Sequence, residues 1–170
     1  MFSCTFLGLA EQAARSFIKK SVKMKKLKAS DYSSEMRKKP FFELTFEMLN
    51  CVRDHNFGRL AEICDDDFGI IDINTEGGSE IIRDRDGWEK WFKGLFGNLD
   101  SINAQTWSEI TRYEAIKKSE MGYSVVDFDQ MLVVGDKKMR FSVIATIVWK
   151  LESGNWKESR YHSSLIKVSE

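Results

Sequence analysis

Hydrophobic and polar positions alternate most regularly near the C-terminus. From Phe141, the odd positions Val143, Ala145, Ile147 and Trp149 are apolar, whereas Ser142, Ile144, Thr146 and Val148 between them are mixed. Side chains of a strand alternate between its faces, so this pattern predicts a long strand with one face buried and the other half covered. Ser153-Gly154-Asn155 supplies a tight turn, and a second strand runs from Trp156 through Leu165. Upstream, residues 105–118 alternate with Trp107, Glu109, Thr111, Tyr113 and Ala115 on one side. Residues 123–134 carry Phe128 and Leu132 on one face and Val125, Asp127, Asp129 and Met131 on the other. Gly135-Asp136 is a two-residue hairpin signal linking this strand to the next.

The pattern before residue 98 has helical spacing. Pro40 suits a first helical turn, and Phe42, Phe46, Leu49 and Val52 form a stripe that predicts a helix to about His55. Asn56-Phe57-Gly58 breaks it, and Leu60, Ile63 and Cys64 mark a short second helix. Asp65-Asp66-Asp67 reads as a solvated loop, since a metal chelate wants alternate positions or a glycine-bearing loop. Residues 68–73 read as a first strand and Glu80-Ile81-Ile82 as a short one. Asp86 through Glu89 has the form of an N-cap with its acid three residues on. Trp88, Trp91, Phe92, Leu95 and Phe96 then line one helix face, which Gly97 ends. Three helices ahead of a mainly antiparallel sheet predict an α+β fold over residues 40–170.

Residues 1–39 differ from this. Between Lys19 and Lys28 there are six lysines and no acid, which predicts a flexible basic leader. A start at Met24 or Met36, or a mitochondrial-type targeting segment, are the alternatives. Across all 170 residues Lys+Arg and Asp+Glu are equal at 26, so no global charge draws the chain to nucleic acid or membrane. No apolar run has the length of a membrane span. Cys4, Cys51 and Cys64 have no metal spacing and cannot all pair, which points to a reducing compartment, the cytoplasm. No phosphate loop, dinucleotide fingerprint or zinc motif is present, so no cofactor is expected.

Thr146-Ile147-Val148-Trp149, Gly154-Asn155-Trp156 and Arg160-Tyr161-His162-Ser163-Ser164 resemble the nuclear transport factor 2-like superfamily. Within it the chain is similar to the SnoaL-like proteins and to the association domain of calcium/calmodulin-dependent protein kinase II. The resemblance covers roughly residues 42–167 and implies a cone of helices on a strongly curved sheet. It says little of activity, because this superfamily hosts isomerases, dehydratases, epoxide hydrolases and non-catalytic adaptors. It also implies a pocket inside the cone with Trp88 and Phe96 on its wall. The positions of three pocket arginines of the kinase domain are here Asp127, Ile147 and Ser163, which favours a small apolar or neutral ligand over an anion.

On that frame Asp127 is the candidate general base, with a hydroxyl from Tyr161, Tyr123 or Tyr113 as oxyanion donor. Asp129 accompanies it on the same face. The alternative is that both acids face solvent or pair with Arg112 or Arg140. Strand alternation sets His162 with Trp156, Glu158, Arg160 and Ser164, opposite Tyr161 and Ser163; a bulge in the last strand would turn His162 inward. Arg140, Thr146, Trp156 and His162 are expected on an outer face that forms a homodimer through the sheet. The leading expectation is a SnoaL-like small-molecule-binding protein with a hydrophobic cavity. A cofactor-free isomerase or dehydratase built on Asp127 and Tyr161, and an association module, stand beside it.

Overall fold

The computed structural model describes residues 26–73 and 79–170. After a 3-10 turn at Ala29–Asp31 come four helices, α1 (Ser34–Arg37), α2 (Phe42–Arg53), α3 (Phe57–Ile63) and α4 (Arg85–Ser101). The strands are β1 (Cys64–Ile73), β2 (Ser79–Ile82), β3 (Gln105–Lys117), β4 (Met121–Val134), β5 (Lys137–Glu152) and β6 (Asn155–Ser169). They form one six-stranded sheet in the order β2-β1-β6-β5-β4-β3. Only the β1–β6 pair is parallel; every other neighbouring pair is antiparallel. The α+β architecture and the long C-terminal strands are as the alternation predicts.

The hairpin turns on either side of β5 have two residues each. Gly135 and Asp136 close β4–β5, whose last pair is Val134 with Lys137. Ser153 and Gly154, at φ 48° and 81°, close β5–β6 between Glu152 and Asn155. Positive φ at both central residues matches the right-handed twist of the strands they join.

The helices cover one face of the sheet. On β4 the inner positions are Ser124, Val126, Phe128 and Leu132, all buried; on β5 they are Phe141, Ala145, Ile147 and Trp149. Trp88 and Phe92 from α4, Phe42 and Met48 from α2, and Phe68 from β1 close the same core. Phe41 stacks on Trp149 at 5.3 Å and meets Trp156 edge-on at 4.9 Å. Gly122 permits this approach, because a Cβ there would lie 2.6 Å from both the Phe41 ring and the Ile116 carbonyl.

Three expectations are corrected. Asp65, Asp66 and Asp67 lie within β1 rather than in a loop, since α3 passes into the strand directly at Cys64. Helix α4 is capped by Asp84, whose Oδ1 accepts the Gly87 N–H at 2.7 Å, and it continues through Gly97 to Ser101. Residues 27–39 are packed on the domain rather than loose. Leu27 joins Trp107, Met131 and Val133, while Tyr32 and Met36 join the main core. Residues 1–25, with most of the lysine-rich run, lie outside the described residues.

Candidate functional site at the base of the cone

The face of each candidate residue follows from strand register, and register from two irregularities in β6. Val148 pairs with Arg160 but Trp149 pairs with Glu158, so Ser159 is an extra residue on β6. A bulge shifts the alternation by one. Before it, Trp156 and Glu158 face inward; after it, Tyr161 and Ser163 do, because they pair with the inner residues Ile147 and Ala145. His162 stays exposed on the outer face, opposite Thr146. The residue that the bulge brings into the cone is therefore Glu158.

Glu158 is wholly buried. It sits beside Cys64, its partner in the parallel β1–β6 pair, and the Cys64 thiol donates to its Oε2 at 3.4 Å. Among the described residues its Oε1 has no hydrogen-bond partner, nor has either carboxylate oxygen of Asp65 or the Trp88 indole Nε1. Asp65 is 2% exposed and Trp88 fully buried. Leaving such a group unpaired costs about 1–3 kcal/mol. Burial, far more than the nearby Asp65 charge, pushes the Glu158 carboxyl up to about 8, so at neutral pH it is mostly protonated and has a hydroxyl to donate. Burial likewise holds the Cys64 thiol well above its ordinary range, with Glu158 adding to the effect; this thiol is a weak donor rather than a nucleophile.

Arg85, at the start of α4, closes the site from one side. Its guanidinium donates to the Ala61 carbonyl at 3.0 Å, the Asp65 carbonyl at 3.3 Å and Glu89 at 3.2 Å, and lies 4.7 Å over the Trp88 ring. Phe57, Phe68 and Phe92 surround the same indole at 5.2–5.6 Å. The base of the cone thus combines aromatic walls with two buried carboxyls that, among the described residues, accept only the Cys64 thiol hydrogen bond.

The structure divides the residues singled out in the sequence. Tyr161, Ile147, Ser163, Trp88 and Phe96 are buried on the helix side of the sheet, Phe96 stacked on His55 at 4.7 Å. Asp127, Asp129 and Tyr123 are not: they alternate with Val126 and Phe128 and face outward. Asp127 lies across from Arg112. Asp129 accepts the Ser142 hydroxyl at 2.7 Å and stands 3.9 Å from Arg140. Tyr123 is 42% exposed. Asp127 and Tyr161 therefore occupy opposite faces, and the base–donor pair read from the sequence does not assemble. Arg140, Thr146 and His162 are exposed on the outer face as expected. Trp156 is not with them, because it packs inward on Phe41 with Lys117 5.0 Å over its ring.

One signal for Glu158 was present in the sequence. Trp156 and Tyr161 are both aromatic yet five residues apart, an odd spacing that one face cannot hold in an unbroken strand. Both face inward only because a bulge lies between them, and Glu158 lies on the Trp156 side of it.

On the far side of the helices, a groove of about 380 Å³ runs between α2 and α3, lined by Glu43, Phe46, Glu47, Asn50, Cys51, Asp54, Asn56 and Arg59. Hydrogen bonding from Arg59 holds Glu47 below its ordinary range, and Arg53 does the same for Asp54. Burial pushes the Cys51 thiol up to about 11. Its polar groups are largely paired with one another, unlike those at the cone base.

Comparison with solved structures returns the same architecture. An NTF2-like protein with a cystatin-like fold from Novosphingobium aromaticivorans is 11% identical, covering 78% of this chain and 83% of that one, with a TM-score of 0.63. A hexachlorocyclohexane dehydrochlorinase, LinA type 3, from Novosphingobium barchaimii is 19% identical over 74% and 84%, with a TM-score of 0.58. The CaMKII hub homology domain of Chlamydomonas reinhardtii is 15% identical over 74% and 94%, with a TM-score of 0.59. At these identities the likeness is one of fold. No curated protein matches the sequence. The sequence profile of the SnoaL-like domain matches residues 43–168, and the chain belongs to that family.

Proposed function

We propose that this SnoaL-like domain holds a small molecule with an apolar body inside the cone, and that the Glu158 carboxyl is its polar anchor. The observation that carries this reading is the unpartnered Oε1 on a carboxyl with no exposure at all. Buried polar groups are nearly always paired, and one that is not calls for a bound partner or a chemical role. Tyr161 and Ser163 follow Glu158 along the same inner face of β6. A protonated carboxyl beside aromatic walls favours a neutral ligand bearing a carbonyl, ether or hydroxyl oxygen. An anion would meet two buried carboxyls, while Arg85, a cation beside them, is spent on the Ala61 and Asp65 carbonyls and on Glu89. A dehydrochlorinase of hexachlorocyclohexane among the structural neighbours is a precedent for a compact apolar substrate in this fold.

The test is a thermal-shift panel of size-matched neutral, cationic and anionic compounds against the wild type and Glu158→Leu. Neutral compounds are expected to raise the wild-type melting temperature and to lose that effect in Glu158→Leu, which itself melts no lower than wild type. Ligands acting equally on both proteins, or stabilisation by anions alone, would overturn the assignment.

A second reading, assembly through the outer sheet face, is favoured by the exposure of Tyr123, Thr146 and His162 beside the half-buried Ile144 and Val148. We propose a homodimer on that face; light scattering showing a monomer at high micromolar concentration would exclude it. The buried free thiols Cys51 and Cys64 suit a reducing compartment such as the cytoplasm. Among the described residues no helix is long and apolar enough to cross a membrane.

A further inference from the structure

The two edges of the sheet are unlike. β2 has four residues, whereas β3 has thirteen. A long edge strand offers a row of unpaired N–H and C=O groups to any second strand. Here that row is crossed by the chain's own residues 27–39. Leu27 is anchored on the outer face against Trp107, Met131 and Val133. Tyr32 is anchored on the inner side, its ring edge-on to Phe42 at 5.5 Å and Phe46 at 5.6 Å. Between these anchors the segment passes around β3. The Ile110 N–H donates to the Tyr32 hydroxyl at 3.2 Å, and Lys39 Nζ donates to the Tyr113 carbonyl at 2.8 Å. The segment is held in shape locally, by Ser33 accepting the Met36 N–H at 3.1 Å and Arg37 donating to the Tyr32 carbonyl at 3.3 Å.

We propose that residues 27–39 are an exchangeable cap on the β3 edge, and that displacing them exposes an antiparallel docking strand whose partner is β3 of a second copy of this chain. The edge is self-complementary. The bulge at Thr111 puts Glu109 and Arg112 on the same face, since they pair with Asp129 and Asp127. A two-fold axis beside Ile110 sets Glu109 of each copy against Arg112 of the other, and opposite charges directly across a strand pair are favourable. This contact is separate from the outer-face dimer and independent of the ligand reading.

The full-length chain carrying Leu27→Ala and Tyr32→Ala tests the proposal, with hydrogen exchange at the Ile110 amide and mass by light scattering as readouts. At a dilution where the variant is not associated, it is expected to exchange Ile110 at least about fivefold faster, as loss of one hydrogen bond implies. Its mass at high micromolar concentration should be double that of the wild type. Adding Arg112→Glu should abolish the extra association without slowing exchange, and a synthetic peptide of residues 26–39 should reverse both effects. Tyr32→Phe, which keeps the ring contacts and removes only the phenol oxygen, reads the same amide with the fold intact. Unchanged Ile110 exchange in Tyr32→Phe, an unchanged mass in the double variant, or extra association that survives Arg112→Glu would each overturn the proposal.

Discussion

Two pairs of carboxyls lie in different settings on the same sheet, and their contrast separates a solvated pair from a buried, largely unpaired one. Asp127 and Asp129 on the outer face are half-exposed and lie beside Arg112, Arg140 and Ser142. Asp65 and Glu158 at the base of the cone are buried; among the described residues Glu158 accepts one hydrogen bond, from the Cys64 thiol, and the Asp65 carboxylate none. In water a carboxylate of the first kind costs almost nothing. The second kind loses hydration without regaining it, and persists only where something other than stability retains it. Burial and partners, rather than residue type, make Glu158 the stronger candidate.

The largest expected difference is in pH dependence. The Glu158 carboxyl stands at about 8 in the folded protein, above its ordinary value of 4.5. Between those values the native state binds more protons than the unfolded chain. Stability therefore falls as pH rises from the lower value, and levels off once pH passes the upper one. Each unit of that displacement corresponds to about 1.4 kcal/mol. Denaturant unfolding at pH 5.5, 7 and 9 should show this slope in the wild type and its loss in Glu158→Gln. Equal slopes in the two proteins would place Glu158 in a wetter setting than the fold implies.

An intermediate effect is expected where a buried polar group is fully paired. The Tyr113 hydroxyl donates to the Pro40 carbonyl at 2.8 Å and lies 3.2 Å from Thr45 Oγ1, tying the start of α2 to β3. Tyr113→Phe removes those bonds, leaves the Pro40 carbonyl and Thr45 hydroxyl short of a partner, and should cost about 1–2 kcal/mol in urea unfolding. A neutral outcome would mean that water replaces the phenol there.

The smallest effect belongs to the outer face. Asp127→Asn should change stability by less than about 0.5 kcal/mol, and should leave ligand-induced thermal shifts as they are in the wild type. A loss of ligand response in that variant would return Asp127 to the site and break the contrast between the faces.

Most of the fold was legible from local pattern. The stripes of Phe42, Leu49 and Val52 and of Trp88, Phe92 and Leu95 became the buried faces of α2 and α4. The alternation of Val143 through Trp149 became β5, and Gly135-Asp136 and Ser153-Gly154 became its two turns. Each of these depends on a period of 3.6 or 2 over a short span, which sequence displays directly. The site was less legible, because it rests on which face of a strand looks inward. Val125 and Met131 beside Asp127 suggested an apolar inner face, yet the core lies behind their neighbours Val126 and Phe128. Without its cross-strand partners, a strand apolar on both sides does not reveal which side the helices cover.

The sequence by itself determined the longer helices, most of the strands, the turns beside β5 and the family, because each is encoded in contiguous residues or a recognisable run of them; it did not determine α1 or the strand at Asp65–Asp67. The tertiary structure decided three things that no contiguous run contains. It set the sheet order, which pairs β1 in parallel with β6 and so lays Cys64 against Glu158. It set the position of the bulge at Ser159, which turned Glu158 inward and left His162 outside. It set the course of residues 27–39 around the β3 edge. All three are contacts between segments far apart in the chain, chosen by how the whole sheet closes against its helices; one residue of register reverses every side chain that follows.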